Sequence, residues 1–353
     1  MANLIDITNT QAMIPALEVN YKPSLLFTRT FFPTHQTFAT EEVIMDYRKG
    51  ARKMAPFVVP GSGVNMARSG FKTNKYKPPM IAPQRPLNVS DLEKRAFGED
   101  VFSTQSPAER AASILAKDQL ELTDAIDRRI EWMCVNALLY GTFQAKGKAD
   151  DGGDEVIDSI TFQDFTQKQT LTGNDMWTAT DTADIYGQIK DIRKTMVRNS
   201  GNAPTLMVGN STTMQYIVKN KSLLNILMIP NGPTMANFVN ITPQIIGDDI
   251  TREAQITGLN IQAYSYDGVY EDDDGTTKEY LPDGYVIFSR PNIGSLLCGM
   301  ITQLEKGTWN SYAGIYVPKF WDVEGSDVQM YRIASRSVPL PANMDDWYVL
   351  KAF

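Results

Sequence analysis

The sequence is poor in the residues on which most enzymes and metal sites depend. It holds one histidine, His35, and two cysteines, Cys134 and Cys298. A single imidazole excludes a multi-histidine metal site, and two remote cysteines leave no zinc-ligand spacing. His35 follows Phe31-Phe32-Pro33 and reads as a surface or packing residue, not a general base. Both cysteines sit in apolar stretches and read as small buried hydrophobes in a reducing compartment; a structural or intersubunit disulfide is the alternative. No apolar run approaches the ~18 residues of a transmembrane helix. Met1 to Asp6 lacks the basic start and apolar core of a signal peptide, so the chain reads as cytosolic when made. P-loop, dinucleotide-binding and nucleophile-elbow patterns are missing too. The nearest approach, Gly61-Ser62-Gly63, is followed by Val64-Asn65-Met66 without the lysine a phosphate loop requires, and reads as a loop tip. No internal repeat or low-complexity tract stands out.

What is present describes a globular chain of two or three compact units: 353 residues, 42% hydrophobic and 21% charged. Lys plus Arg is 34 and Asp plus Glu is 41, giving 34 − 41 = −7. That sign argues against a protein that condenses nucleic acid by itself. The charge is unevenly spread. From Tyr47 to Ser90 there is no acidic residue, while Arg48, Lys49, Arg52, Lys53, Arg68, Lys72, Lys75, Lys77 and Arg85 all fall there, among many Gly and Pro. Apolar pieces Met54–Val59 and Phe71–Ile81 flank the Gly61-Ser62-Gly63 tip, which suits a long hairpin-like excursion over 38–90. A two-stranded ribbon is marginal alone in water and must lie against something. A positive ribbon on a negative protein favours the acidic surface of a neighbouring copy; nucleic-acid contact and a solvated loop are the other readings. Residues 1–37 look like an extended arm. Within it Leu25 to Phe32, with Phe27, Phe31 and Phe32, has no obvious apolar face nearby, so it either docks on another unit or packs on its own core.

The clearest local structure comes next. Ser106-Pro107-Ala108-Glu109 is a capping box with Pro at the first helical position. An apolar stripe runs from Ala111 to Tyr140 at helical spacing and Gly141 supplies the stop. The predicted helix, 107–140, is about 50 Å long at 1.5 Å per residue; two helices broken near Lys117-Asp118-Gln119 is the alternative. A strand is expected near 156–162, then a helix capped by Asp181 with Ile185, Ile189, Ile192 and Met196 on one face. Thr205–Val208 reads as a buried strand before a helix capped by Asn210 or Ser211. Strands 261–264 and 285–288 are expected to flank a hairpin whose tip, Glu271 to Gly275, is a solvated acidic turn and not a calcium loop. Segments 296–304 and 328–336 alternate as strands, and Pro339-Leu340-Pro341 is expected to mark a corner before a last strand at 347–350. One helix-plus-sheet unit thus contains chain from both sides of an inserted module. An enzyme built on a carboxylate pair has no supporting spacing.

Short pieces spread over nearly the whole chain then carry a resemblance. They are Leu26 to Phe32, Thr40-Glu41-Glu42-Val43, Lys53 to Val58, Lys77-Pro78-Pro79-Met80-Ile81, Tyr280-Leu281-Pro282-Asp283-Gly284 and Ser335 to Leu340. In this order the chain resembles the major capsid proteins of the phage lambda type, with the fold of Hong Kong phage ninety-seven. The resemblance implies an α+β fold and a non-enzymatic shell subunit with no cofactor and no metal. It implies an N-terminal arm (1–37), an extended loop (38–90), a peripheral domain (91–182 and 294–353) with spine helix 107–140, and an axial domain (183–293). It implies hexamers and pentamers in an icosahedral shell, built in the host cytoplasm and ending in the virion. Scaffolding, portal and decoration proteins would be partners. Double-stranded DNA would be enclosed without sequence-specific binding, and no membrane is involved. Intersubunit contacts would fall on Arg48, Lys49, Arg52, Lys53, Arg68, Lys72, Lys75 and Lys77 of the loop and on Phe27, Phe31 and Phe32 of the arm. A prokaryotic nanocompartment shell of the same fold is the alternative.

Overall fold

The computed structural model describes residues 23–40, 42–47, 54, 72–94, 106–148, 154–162, 165–223, 241–272, 274–305 and 307–353. In chain order it opens with helix α1 (Leu26–Phe31) and strands β1 (Thr34–Phe38), β2 (Val43–Tyr47), β3 (Lys72–Tyr76) and β4 (Gln84–Asn88). Helices α2 (Val89–Glu93) and α3 (Pro107–Tyr140) lead to β5 (Thr142–Lys148), β6 (Asp154–Thr161) and β7 (Lys168–Thr170). Helix α4 (Ile185–Asn199), β8 (Leu206–Gly209) and α5 (Ser211–Lys219) follow. Strands β9 (Gln244–Gly247), β10 (Ile250–Ile256), β11 (Ile261–Tyr266), β12 (Val269–Glu271), β13 (Thr277–Glu279) and β14 (Tyr285–Ser289) come next. The chain closes with β15 (Gly294–Glu305), β16 (Thr308–Ala313), β17 (Val317–Asp322), β18 (Val328–Ala334), β19 (Ser337–Pro341) and β20 (Trp347–Lys351).

Helix α3 is unbroken over 34 residues, about 50 Å. Its start is held from both sides: the Ser106 N–H donates to Glu109 Oε2 at 2.7 Å, and Ser106 Oγ accepts the Glu109 N–H at 3.4 Å. Gly141 ends it in the left-handed region, φ 69°, where a side chain would be strained. Burial is lopsided. Leu122, Ile126, Ile130, Met133, Cys134 and Leu138 are buried, whereas Ala111, Ile114 and Leu115 near the start are only half covered.

The largest sheet runs β7-β20-β14-β8-β11-β10-β9. Alternation along its strands sends residues to opposite faces. Val208, Ile287 and Val349 join one core with α3, while Met207, Val286, Phe288 and Leu350 join a second core with Ile185, Ile189 and Ile192 of α4 and Met214 of α5. Helices therefore cover this sheet on both sides, and Trp347 Nε1 donates to the Leu138 carbonyl at 2.9 Å to tie β20 to α3. A second sheet centres on β15, with β1 parallel to it and β16 and β19 antiparallel. A third runs β17-β18-β4. Cys134 and Cys298 are both free and buried, and His35 is exposed on β1.

Three sequence expectations need correction. Strands β11 and β14 do not border a common hairpin, because β8 lies between them; the acidic turn belongs to the small β12–β13 hairpin. Pro339 and Pro341 mark no corner. They lie within β19, which among the described residues pairs only with β15, and an edge is where missing N–H groups are tolerated. Helix α4 is capped by Asp184, whose carboxylate accepts the Gly187 N–H at 3.0 Å, while Asp181 instead pairs with Lys221 at 2.7 Å. In the seven-stranded sheet, β20 pairs with β14 and β7 pairs with β20, so segments from both halves of the chain share it.

Candidate functional site

The basic stretch is entered and left through paired strands. Strands β2 and β3 pair antiparallel, Val43 opposite Tyr76 and Tyr47 opposite Lys72, so the chain leaves and returns as a ribbon. Lys75 sits 4.0 Å from Glu42 across that ribbon, both exposed, a pair that water and salt screen heavily. Lys77 is exposed. Arg48, Lys49, Arg52, Lys53 and Arg68 lie outside the described residues. The return limb is not free. Its strand β4 pairs with β18, and the Arg85 guanidinium reaches α3, 2.6 Å from Asp118 and 2.5 Å from Glu121. Hydrogen bonding to Asp118 holds the guanidinium even more firmly protonated than usual. Beside it, a cleft of about 710 Å³ between α3 and the β12–β13 hairpin is walled by Arg85, Glu121, Arg129, Trp132 and Tyr270, with Arg129 over the Trp132 ring at 5.5 Å.

The aromatic part of the arm behaves differently from the expected intersubunit contact. Phe27, Phe31 and Phe32 are each 0% exposed and belong to the core that α3 and β15 build. They pack on their own chain's core, the other reading open to this segment. The reason is the six-residue helix α1, which turns Phe27 and Phe31 inward, with Phe27 also against Tyr266. Glu131 of α3 secures this helix by accepting the backbone N–H groups of Phe27 and Thr28. Sequence reading missed Glu131, because it occupies a plain position in a charged helix; its place on the apolar side of that helix was the available signal.

The exposed apolar surface lies elsewhere. Strand β16 is open to solvent on both faces, with Trp309 70% exposed and Tyr312 also exposed, and Leu304 of β15 and Phe320 of β17 add to the area. At the far edge of the seven-stranded sheet, β9 presents Ile245 (80% exposed) and Ile246. An edge strand carrying exposed apolar side chains is a template for pairing with another chain, and apolar patches of this kind mark interaction surfaces. None of these residues was singled out from sequence. The pattern of β16 does not alternate, so it gives no hint of a covered face. Among the described residues no group of three or more His, Cys, Asp or Glu is placed to hold a metal ion, and no helix is long and apolar enough to cross a membrane.

Comparison with known proteins gives one consistent picture. Residues 9–352 match the family model described as phage major capsid protein E. The chain is 23% identical over 333 residues to the major capsid protein of Enterobacteria phage P21, covering 94% of both. It is 23% identical over 357 residues to the major capsid protein of Escherichia phage lambda, covering 96% of this chain and 97% of that one. Its structure is similar to that of a prophage protein of E. coli CFT073 assigned as a capsid protein, with a TM-score of 0.62, 18% identity and coverage of 99% and 98%. The capsid protein of a native GTA particle is similar at a TM-score of 0.51 and 12% identity, with coverage of 95% and 92%.

Proposed function

The chain belongs to the phage major capsid protein E family, and from that premise we propose that it assembles into hexamers and pentamers that close an icosahedral shell around double-stranded DNA. It is a phage major capsid protein, a structural subunit of the virion. The observation that carries the finer reading is the two-sided exposure of β16 with Trp309 and its neighbours Leu304 and Phe320. A surface of this kind loses its unfavourable contact with water when sister copies cover it, at roughly 25 cal/mol per Å² of apolar area. The ribbon leaving through β2 and returning through β3 is the second contact. Its basic residues Arg48, Lys49, Arg52, Lys53, Arg68, Lys72, Lys75 and Lys77 would seek acidic patches on a neighbour of a chain whose net charge is −7.

The spine helix α3, with 91–182 and 294–353, makes the peripheral part of the subunit in this reading. Segment 183–293, with β7 and β20 added to its sheet, makes the axial part. Scaffolding, portal and decoration proteins act as further partners, and assembly takes place in the host cytoplasm. The test is negative-stain microscopy and sedimentation of the expressed chain, alone and with a scaffolding protein. Capsomers or closed shells are expected, and a stable monomer at high concentration overturns the proposal. Purified particles holding an enzyme cargo instead of a genome would transfer the reading to a nanocompartment shell.

A further inference from the structure

Glu131 is a carboxylate at the meeting point of three parts of the chain, with no counter-ion among the described residues. It is 0% exposed between α1, α3 and β11. The Phe27 N–H donates to its Oε1 at 2.6 Å, and the Thr28 N–H and hydroxyl donate to its Oε2 at 2.9 and 2.6 Å. The Tyr266 hydroxyl stands 3.5 Å from Oε1 and also donates to the Ser24 carbonyl at 2.8 Å. Two of these donors are first-turn N–H groups that a helix cannot satisfy internally. The residue preceding α1, Leu25, has no side-chain oxygen to serve them. Glu131 does that work from a different element.

Among the described residues, no Lys or Arg lies within ion-pair distance of Glu131. From its own helix Cys134 interacts electrostatically with it, and from β11 the Tyr266 hydroxyl faces it, with Tyr280 stacked against that ring. Arg29 of α1 is exposed and acts with Arg128 on Asp127, one turn earlier on α3. The site is nevertheless built for two protonation states. Thr28 Oγ1 lies 3.6 Å from the Cys134 sulfur, and either atom can donate in that contact. When Glu131 is ionised, the Thr28 hydroxyl points its proton at the carboxylate. When Glu131 is protonated, the hydroxyl can turn its proton to the sulfur and accept from the carboxylic acid.

We propose that Glu131 is a proton-linked latch on the N-terminal segment, holding α1 on the spine helix more tightly when protonated than when ionised. A buried carboxylate with hydrogen bonds but no cation is disfavoured in its charged form. Burial accordingly lifts its pKa from 4.5 to about 7, against the opposing pull of Thr28, Phe27 and Tyr266. With α1 detached, Glu131 meets water and returns toward 4.5. The attached state therefore binds more protons between those two values, so the extra hold is complete below about pH 4.5 and is lost as pH rises through about 7. The inference goes beyond the shell reading, since it concerns one subunit, and its failure would leave the family assignment untouched.

Hydrogen exchange of the full-length chain, followed by mass spectrometry at pH 5.5 and pH 8 and corrected for intrinsic exchange rates, tests it. The segment 23–33, which carries the Phe27 and Thr28 amides, should lose protection at least about tenfold at pH 8, while α4 serves as an internal control that does not change. Glu131→Gln should abolish the difference. If that variant does not fold, the wild-type pH series against the α4 control still decides. Equal or greater protection of 23–33 at pH 8, or a pH dependence that survives in Glu131→Gln, overturns the proposal.

Discussion

Two regions of this subunit carry similar aromatic side chains and meet opposite fates. Around α1, Phe27, Phe31 and Phe32 vanish into the core against α3 and β15. On β16 and β17, Trp309, Tyr312 and Phe320 stay in contact with water. Apolar character does not separate them, since both stretches would bury if they could. What separates them is backbone support. The first turn of α1 finds Glu131 waiting for its N–H groups, and Asn292 and Ile293 donate to the carbonyls of Thr30 and Phe31 at 2.8 and 3.0 Å. Strand β16 pairs on one side only, with β15, and no described element lies over either of its faces. A segment whose polar backbone is satisfied inside its own subunit can pack there; one left at an edge is available to a partner.

This contrast can be broken or sharpened by substitution. Truncating an inner aromatic, Phe31→Ala, should cost about 3–5 kcal/mol of subunit stability, read by denaturant unfolding. A loss under 1 kcal/mol would mean that α1 is not held as described. Trp309→Ala should leave subunit unfolding nearly unchanged yet weaken assembly by about 2 kcal/mol, seen as a rise of some thirtyfold in the concentration at which shells form. If unfolding shifts and assembly does not, the exposed face is not an interface. Arg85→Ala removes a half-exposed guanidinium from Asp118 and Glu121. Solvent screening limits the expected loss to about 1 kcal/mol or less, shrinking further in high salt. Lys75→Ala should be the mildest, with unfolding unchanged within about 0.5 kcal/mol because its partner Glu42 is equally exposed. Reversing Arg48, Lys49, Arg52 and Lys53 to Glu together is the companion experiment. It should leave unfolding alone and slow assembly if the ribbon meets acidic neighbours.

Much of the fold was readable before any coordinates. Capping boxes, apolar stripes and glycine stops are local signals, and α3 runs from Pro107 to Tyr140 as the residues at its ends dictate. The strands at β8, β11, β14, β15 and β20 were likewise placed to within a few residues. Pairing was not readable. Nothing in Ile261–Tyr266 or Tyr285–Ser289 says that Leu206–Gly209 will slot between them, because strand order depends on how distant segments stack on α3, α4 and α5. The exposed apolar surface was the least legible part. The basic ribbon was visible as a charge pattern, but Trp309 and Ile245 became notable only once their neighbours proved absent among the described residues.

Hydrophobic spacing and capping chemistry act over one or two turns, and they were enough to specify where helices and strands begin and end. The choice of which aromatic cluster is sealed inside and which faces outward required the folded chain. Burial is a property of a side chain together with everything packed against it. For Phe27 that includes the Glu131 carboxylate and the Tyr266 ring of β11, both drawn from segments more than a hundred residues away.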